Sequence, residues 1–235
     1  MMFLSYLFDY NGVLVDDEAV HLAAFREALG PYGVSVSDSD YKSKYLGFDD
    51  VGAFRAILDD NAIAFDANLI DSLVEAKKPS YLARAQRELL LFPGAGALLH
   101  RLERGGAVLG IVSGALRQEI DLGLRVLNAR ERVRFVVSAE DTHACKPDPE
   151  GYCIGRTKLI ETAGIGVANR VLVVEDSIAG IEAARAADMP CLAVAHSYDK
   201  SELLRAGAVH VASQLADIDD RLLAQLADRV YGNDA

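Results

Sequence analysis

Short apolar runs alternate with amphipathic helical segments from Phe92 onward. Such runs are typical of buried strands, and their alternation with helical spacing predicts an α/β fold with a parallel sheet covered by helices on both faces. An apolar run near the start of the chain would join the same sheet. The predicted strands are Tyr6 to Phe8, Val108 to Val112, Phe135 to Ser138, Val171 to Val174, Cys191 to Ala195 and Val209 to Ala212.

Residues 16–91 interrupt this rhythm, because they show amphipathic helical spacing and no convincing strand. The apolar positions of two helical stripes are Leu22, Phe25 and Leu29, and then Phe54, Ile57 and Leu58. We therefore predict an α/β core formed by residues 1–15 and 92–235, and an inserted all-helical domain formed by residues 16–91. Lys77 and Lys78 fall on a predicted helix of this insertion, where we expect them to be solvated.

Length and charge narrow the possible partners. The chain has 235 residues, with 24 lysines and arginines against 35 aspartates and glutamates, for a formal net charge of −11. The electric field of this net negative charge repels nucleic acid and anionic membranes. In addition, no run of apolar residues approaches the ~20 residues of a membrane helix. We therefore expect no nucleic-acid or membrane partner, and any phosphate must be bound by local features.

The cysteines favour a reducing compartment. Cys145, Cys153 and Cys191 are odd in number and form no C-x-x-C pair, which argues against a disulfide framework or a structural zinc site. His143 and Cys145 stand two residues apart, but two unsupported ligands do not make a metal site. The first ten residues lack a basic leader and a small-residue cleavage site, so we expect a cytoplasmic protein.

Polar groups stand where the predicted strands stop. In an open parallel sheet, the carboxyl ends of the strands line one shared crevice, so we expect these groups to converge. The four motifs are D-Y-N-G-V-L at 9–14, V-S-G at 112–114, K-P-D-P at 146–149 and V-E-D-S at 174–177.

The carboxylates of these motifs suit a hard divalent cation. Asp9, Glu175 and Asp176 supply the oxygen ligands that magnesium prefers. With a metal screening the repulsion between carboxylate and phosphate, Asp9 can act as the nucleophile and form an aspartyl-phosphate. Phosphoryl transfer depends mainly on such charge neutralisation and positioning.

The remaining groups suit the phosphoryl oxygens. Lys146 can neutralise charge beside Asp9, while the Ser113 hydroxyl and the Gly114 amide can donate hydrogen bonds to a phosphoryl oxygen. Gly114 also lets the backbone come close to a ligand. The inventory predicts a magnesium-dependent enzyme that acts on a small phosphorylated metabolite.

These motifs, in this order and with a helical insertion directly after the first, resemble the haloacid dehalogenase superfamily over nearly the whole chain. The E-D-S-x-A-G stretch at 175–180 and the compact helical insertion resemble the subgroup that contains β-phosphoglucomutase and phosphoglycolate phosphatase. The insertion also matches in part, at Asp16, Glu18 and His21 and at Y-L-G, residues 45–47. The resemblance implies a Rossmann-like, doubly wound core with a helical cap that closes over the crevice.

The resemblance also implies roles for individual residues. Asp9 would be the nucleophile, Ser113 and Lys146 would bind the phosphoryl group, and Glu175 with Asp176 would bind magnesium. The backbone carbonyl of residue 11 would complete the metal site. His21 would either face the substrate from the cap or be an ordinary histidine of the first helical turn.

Asn11 departs from the family pattern. The family's phosphatases and mutases carry a second aspartate at this position, which serves as general acid and then general base. An amide cannot exchange a proton at neutral pH, and loss of this help slows a reaction by roughly 10²- to 10⁴-fold. Asn11 is a deliberate substitution, a natural divergence toward slow turnover, or part of a site with another proton source. Because the implied metal contact is a backbone carbonyl, the amide should spare magnesium binding.

Hydrolysis of a small phosphate monoester is the leading hypothesis for function. A phosphomutase is the nearest alternative, although Asp49 and Asp50 stand where some sugar-phosphate mutases carry basic substrate contacts. A protein that binds a phosphorylated ligand without turnover is the third. Dehalogenases of the superfamily lack the E-D pair, so Glu175 and Asp176 favour phosphate over halide. We expect a monomer or a weak homodimer.

Overall fold

The computed structural model describes residues 2–46 and 48–232, which form two compact units. One unit consists of residues 1–15 and 91–235, and the other of residues 16–90. Eight strands lie in the described residues: β1 (Ser5–Phe8), β2 (Val15–Asp16), β3 (Leu90–Leu91), β4 (Val108–Val112), β5 (Val133–Val137), β6 (Val171–Glu175), β7 (Cys191–Val194) and β8 (His210–Ala212).

Eleven α-helices lie in the same residues: α1 (Glu18–Leu29), α2 (Asp38–Asp40), α3 (Asp50–Asp60), α4 (Ala67–Glu88), α5 (Ala95–Arg104), α6 (Arg117–Val126), α7 (Glu150–Ala163), α8 (Ile165–Ala168), α9 (Ile178–Ala186), α10 (Lys200–Ala206) and α11 (Asp220–Tyr231). Shorter 3₁₀ turns are Gly30–Tyr32, Arg130–Arg132, Ala139–Asp141 and Leu215–Asp217, and Tyr41–Tyr45 forms a π-helical turn. No helix of the described chain combines the length and the apolar composition needed to cross a membrane.

Six strands form one parallel sheet in the order β5-β4-β1-β6-β7-β8, which confirms the predicted α/β class. The chain moves outward from β1 in one direction and returns to β6 on the other side, so the winding reverses between these neighbours. The register pairs Phe8 with Ile111 on one side and with Val174 on the other. β1, β4 and β6 therefore end at the same level, and the residues that follow them lie at one edge of the sheet. Ligands bind at this edge in open α/β sheets.

Most predicted strand bounds lie within one residue of the observed bounds, and two larger differences remain. β5 begins at Val133, whereas the predicted strand begins at Phe135. The prediction missed the first two residues because exposed Arg134 interrupts the apolar run, as happens in an edge strand that has one face toward solvent. The segment predicted to lack strands carries Asp16 and Leu90 in short strands at its two ends, where β2 pairs with β3. Two residues are too few for an alternating pattern to be read.

The unit of residues 16–90 is helical and has its own apolar core. The predicted stripes on α1 and α3 are buried, and they pack with residues of α4 such as Ile70 and Leu73. Tyr45, from the Y-L-G match, is buried in this core, whereas Gly47 of the same match lies outside the described residues. The buried stripes explain why these helices fold as a unit.

Tyr10 fixes the loop after β1 against α6. Its side chain is fully buried, and its hydroxyl donates to the Glu119 carbonyl at 3.0 Å. Gly123, one turn further along α6, makes room for the ring, because a Cβ at this position would lie 1.8 Å from the Tyr10 oxygen. The residue next to Asp9 is therefore held by a contact that tolerates no added atom.

We expect Gly123→Ala to destabilise the protein by about 1–3 kcal/mol, since it forces an extra methyl group into a packed interior. Tyr10→Phe removes the clashing oxygen together with its hydrogen bond. In urea unfolding, the double substitution should therefore cost less than the two single changes added together. Strictly additive costs would contradict this account of the contact.

Candidate active site

Lys146 links three of the predicted strand ends. Its ammonium donates to Asp9 Oδ1 at 2.7 Å, to Glu175 Oε1 at 2.6 Å and to the Val112 carbonyl at 3.1 Å. Asp9 follows β1, Val112 ends β4 and Glu175 ends β6, while Lys146 comes from the loop between β5 and α7. An ammonium has three N–H donors, and all three are used here.

Glu175 is held by donors on both carboxylate oxygens. Oε1 accepts from Lys146 and from the Tyr152 hydroxyl at 2.9 Å. Oε2 accepts from the Asp176 amide at 3.0 Å, and from the amide and hydroxyl of Ser177 at 3.1 and 3.0 Å. A Cβ on Gly180 would lie 1.8 Å from Oε1, so the first turn of α9 packs directly on this carboxylate. Direct ligation of a metal by Glu175 would displace one of these donors.

The charges of the site perturb one another. Burial raises the pKa of Asp9 to about 6, although Lys146 opposes the shift. Burial and the neighbouring charges of Glu175 and Asp9 hold the pKa of Asp176 well above its ordinary value. Burial works against the ionised forms of both Lys146 and Glu175. The carboxylates of Asp9 and Glu175 nevertheless raise the pKa of Lys146, while Lys146 and the hydrogen bonds from Tyr152 and Ser177 lower the pKa of Glu175.

The acidic group fits a divalent cation. Asp9, Glu175 and Asp176 are buried, and each offers an oxygen within 4.8 Å of the others. Lys146 pairs with Asp9 and Glu175, so a further positive charge would stabilise the ionised form of Asp176, whose pKa is raised by burial and by these two carboxylates. Opposite ligands of magnesium stand about 4.2 Å apart at its usual bond length, so only small side-chain movements are required. Asp9 and Asp176 could ligate magnesium with less rearrangement than Glu175, because ligation by Glu175 would displace one of its hydrogen-bond donors.

Ser113 and Asn11 face each other beside this group. The Ser113 hydroxyl donates to Asn11 Oδ1 across a long 3.4 Å contact and accepts from the Ala115 amide at 3.2 Å. The N-cap of α6 is Leu116, so Ser113 does not cap this helix. Gly114, the next residue, is exposed. The long contact to Asn11 is weak, which leaves the Ser113 hydroxyl able to change partner.

Sequence analysis missed two residues that contact the site. His196 Nδ1 donates to the Gly12 carbonyl at 2.7 Å, and the Ser197 hydroxyl donates to Asp176 Oδ2. Both residues come directly after the apolar run that ends β7. The signal was therefore present in the sequence, since polar residues at the end of a predicted strand had already identified Asp9 and Asp176.

His21 lies in the unit of residues 16–90, and its contacts there are with side chains of the same unit. Nε2 is 3.1 Å from Asp17 Oδ2, and Nδ1 is 2.8 Å from Lys77 Nζ. The role of His21 in substrate binding remains a prediction.

The expectation that Lys77 is solvated is wrong. Its side chain is fully buried, with Nζ 2.5 Å from Asp50 Oδ1 and 4.7 Å from the centre of the Phe25 ring. The buried positions of α4 are Ile70, Leu73, Lys77, Tyr81 and Ala85. Lys77 thus occupies the apolar stripe of its helix, whereas Lys78 lies beside it and pairs with Glu75.

Comparison with known proteins identifies relatives along most of the chain. The family of haloacid dehalogenase-like hydrolases matches residues 6–194. Validoxylamine A 7'-phosphate phosphatase of Streptomyces hygroscopicus subsp. limoneus is 30% identical over 207 residues, which cover 87% of this chain and 92% of that protein. The phosphorylated carbohydrates phosphatase of Thermotoga maritima is 26% identical, with 86% and 91% of the two chains covered.

A solved structure agrees at the level of the fold. CbbY from Rhodobacter sphaeroides, crystallised in complex with phosphate, superposes with a TM-score of 0.82 at 22% identity. The match covers 95% of this chain and all of that one.

Gly12 provides a test of the packing around Asp176. Its φ is +74°, and a Cβ would lie 2.1 Å from Asp176 Oδ2. Gly106 has a similar φ of +85° but nothing within 4 Å of its Cβ position, which makes it a matched control. We expect Gly106→Ala to cost about 1–2 kcal/mol of stability from backbone strain alone.

Gly12→Ala carries the same strain and an added collision, so it should cost about 1–3 kcal/mol more than Gly106→Ala. Urea unfolding of both variants and the unchanged protein measures the difference. Equal costs for the two substitutions would mean that Asp176 yields freely to an added methyl group.

Proposed function

Because the chain belongs to the haloacid dehalogenase-like hydrolases, we propose that it hydrolyses a phosphate monoester of a small metabolite. The proposal depends on magnesium and on Asp9 as the nucleophile. A single observation carries it: the buried carboxylates of Asp9, Glu175 and Asp176 each offer an oxygen within 4.8 Å of the others, and the ammonium of Lys146 pairs with the first two. That arrangement calls for a divalent cation beside a carboxylate able to attack phosphorus.

In the first step, a carboxylate oxygen of Asp9 attacks the phosphorus atom and the bond to the leaving alkoxide breaks. In the second, water attacks the resulting aspartyl-phosphate, the bond between Asp9 and phosphorus breaks, and inorganic phosphate leaves. Splitting one displacement into two lowers the barrier of each. The pKa of about 6 leaves the Asp9 carboxylate largely ionised at neutral pH, as a nucleophile must be.

Other groups of the site would bind and neutralise the phosphoryl oxygens. Lys146 would exchange one of its present acceptors for a phosphoryl oxygen, and the Ser113 hydroxyl would leave its long contact with Asn11. The Gly114 amide would add a third donor. Asp9, Asp176 and the Asn11 carbonyl would hold magnesium, which supplies neutralisation of charge between the carboxylates and the phosphate.

Asn11 sets the limit on rate. The leaving alkoxide needs a proton and the attacking water must lose one. The Asn11 amide can neither supply nor accept that proton at neutral pH, so solvent water must do both. We therefore propose that turnover is slow and that Asn11 is the reason. The Asn11 side chain can still accept a hydrogen bond from the Ser113 hydroxyl. The amide therefore keeps its contact within the site although it lacks an acid–base function.

The relatives support a sugar-like substrate. One is named for a phosphorylated validoxylamine and another for phosphorylated carbohydrates. We propose a compound of this class, a phosphate ester on a polyhydroxylated ring or chain, for the present protein as well.

Asp9→Asn should abolish phosphate release, because the amide is a poor nucleophile. Asn11→Asp should raise the rate by about 100-fold or more, since it restores a general acid and base. Both effects are measured as phosphate release from a panel of sugar phosphates in the presence of magnesium. Because deamidation of Asn11 would itself create an aspartate, the intact mass of the unaltered protein is measured as well.

The same assay separates the alternative functions. Isomerisation that needs a bisphosphate primer and releases no net phosphate would establish a phosphomutase. Binding of sugar phosphate without chemistry, before and after Asn11→Asp, would establish a binding protein. Either result would contradict the proposed hydrolysis.

Magnesium binding can be tested without substrate. We expect Asp176→Asn to weaken magnesium binding by about 100-fold or more, because even the outer partners of metal ligands change affinity by 10–100-fold. Isothermal titration calorimetry measures the affinity directly. Glu161→Gln removes the same charge from an exposed position and is the control. Equal affinities in the two variants would show that the acidic group is not the magnesium site.

Three further assignments remain predictions. They are the role of residues 16–91 as a cap, the cytoplasmic location and the monomeric or weakly dimeric state. Cys145 and Cys153 are exposed and Cys191 is buried, and a reducing compartment would keep such cysteines as thiols.

A further inference from the structure

His196 and Ser197 contact two different parts of the site. The Gly12 carbonyl can only accept a hydrogen bond, so Nδ1 of His196 carries the hydrogen in their 2.7 Å contact. Ser197 donates its hydroxyl hydrogen to Oδ2 of Asp176. Two adjacent residues after β7 therefore hold the loop that follows β1 and the carboxylate that follows β6.

The imidazole of His196 is itself fixed. It stacks on the ring of Phe92, with ring centroids 3.8 Å apart and an angle of 10° between the planes. Phe92 in turn donates its backbone N–H to the Leu14 carbonyl at 3.1 Å. The loop after β1 is thus held at Gly12 by His196 and at Leu14 by the residue on which His196 stacks.

The two contacts meet at Asp176. The backbone of Gly12 packs directly on this carboxylate, since a Cβ there would lie 2.1 Å from Oδ2. The Ser197 hydroxyl contacts the same oxygen, Oδ2, so Gly12 and Ser197 both constrain the Asp176 carboxylate. Repulsion among the buried carboxylates of Asp9, Glu175 and Asp176 would otherwise push these groups apart.

We propose that His196 and Ser197 act together as positioning residues that hold the Gly12 backbone against Asp176, so that the magnesium ligands are already arranged before the ion binds. We call this pair the 196–197 clamp. The inference rests on the proposed magnesium-dependent function, and it adds residues outside the four strand-end motifs. Groups that orient metal ligands change affinity because they remove the cost of assembling the site.

Conservative and non-conservative substitutions separate positioning from mere packing. Ser197→Ala removes the hydroxyl, whereas Ser197→Thr keeps it. His196→Ala removes donor and ring, whereas His196→Asn keeps an N–H donor near the position of Nδ1. Phe92→Leu keeps the His196 donor but removes its stacking partner. Ser201→Ala and His100→Ala change the same residue types at exposed positions and are the controls.

Isothermal titration calorimetry of the full chain with magnesium chloride alone is the test. We expect Ser197→Ala and His196→Ala to weaken binding by 10–100-fold, the range found for groups that orient ligands. Ser197→Thr and His196→Asn should recover most of the loss, Phe92→Leu should fall between, and the controls should match the unaltered protein.

Thermal unfolding without metal completes the design. Affinities that fall only in proportion to lost thermal stability, with no rescue by Thr or Asn, would overturn the clamp. Unchanged affinity in both alanine variants would overturn it too. The proposed hydrolysis fails separately, if the unaltered protein binds magnesium but releases no phosphate from any ester. A protein that binds no magnesium at all would overturn both.

Discussion

The crowding of carboxylates at one edge of the sheet is the constraint to which the rest of the site responds. Parallel strands that end level bring Asp9, Glu175 and Asp176 together in a buried place, where like charges repel strongly. Lys146 relieves part of this repulsion, because two of its N–H donors go to Asp9 and Glu175, while the third goes to the Val112 carbonyl. The pKa of Asp176 stays raised, and the proposed divalent cation would stabilise the ionised form of Asp176 and offset the repulsion between the carboxylates and a phosphoryl group.

Glycines make this crowding sterically possible. Gly12 lets the loop after β1 rest on Asp176, and Gly180 lets the first turn of α9 rest on Glu175. Gly123 accommodates Tyr10, the neighbour of Asp9, in the same way. In each case a charged or catalytic loop is positioned by backbone that approaches without a side chain between them, so the geometry is set by packing as much as by charge.

Positioning and proton transfer are separable in this protein. Positioning depends on Lys146, on the glycine contacts and on the hydrogen bonds from His196 and Ser197. Proton transfer would depend on the residue at position 11, and the amide of Asn11 cannot carry it out. A site whose groups are positioned for binding phosphate could therefore still turn over slowly, which is the reason for the slow hydrolysis proposed above.

The sequence by itself determined the α/β class and most residues that converge on the site. Buried parallel strands are continuous apolar runs, so the polar residues that end them, Asp9, Ser113 and Asp176, stand out without coordinates. Residue order could not decide the partners of each group. Glu175 has donors on both oxygens because Tyr152 of α7 and Ser177, the residue before α9, both reach it. Lys77 is buried because one charged residue falls on the apolar stripe of α4. These outcomes depend on which surfaces pack together, and only the tertiary structure fixes that.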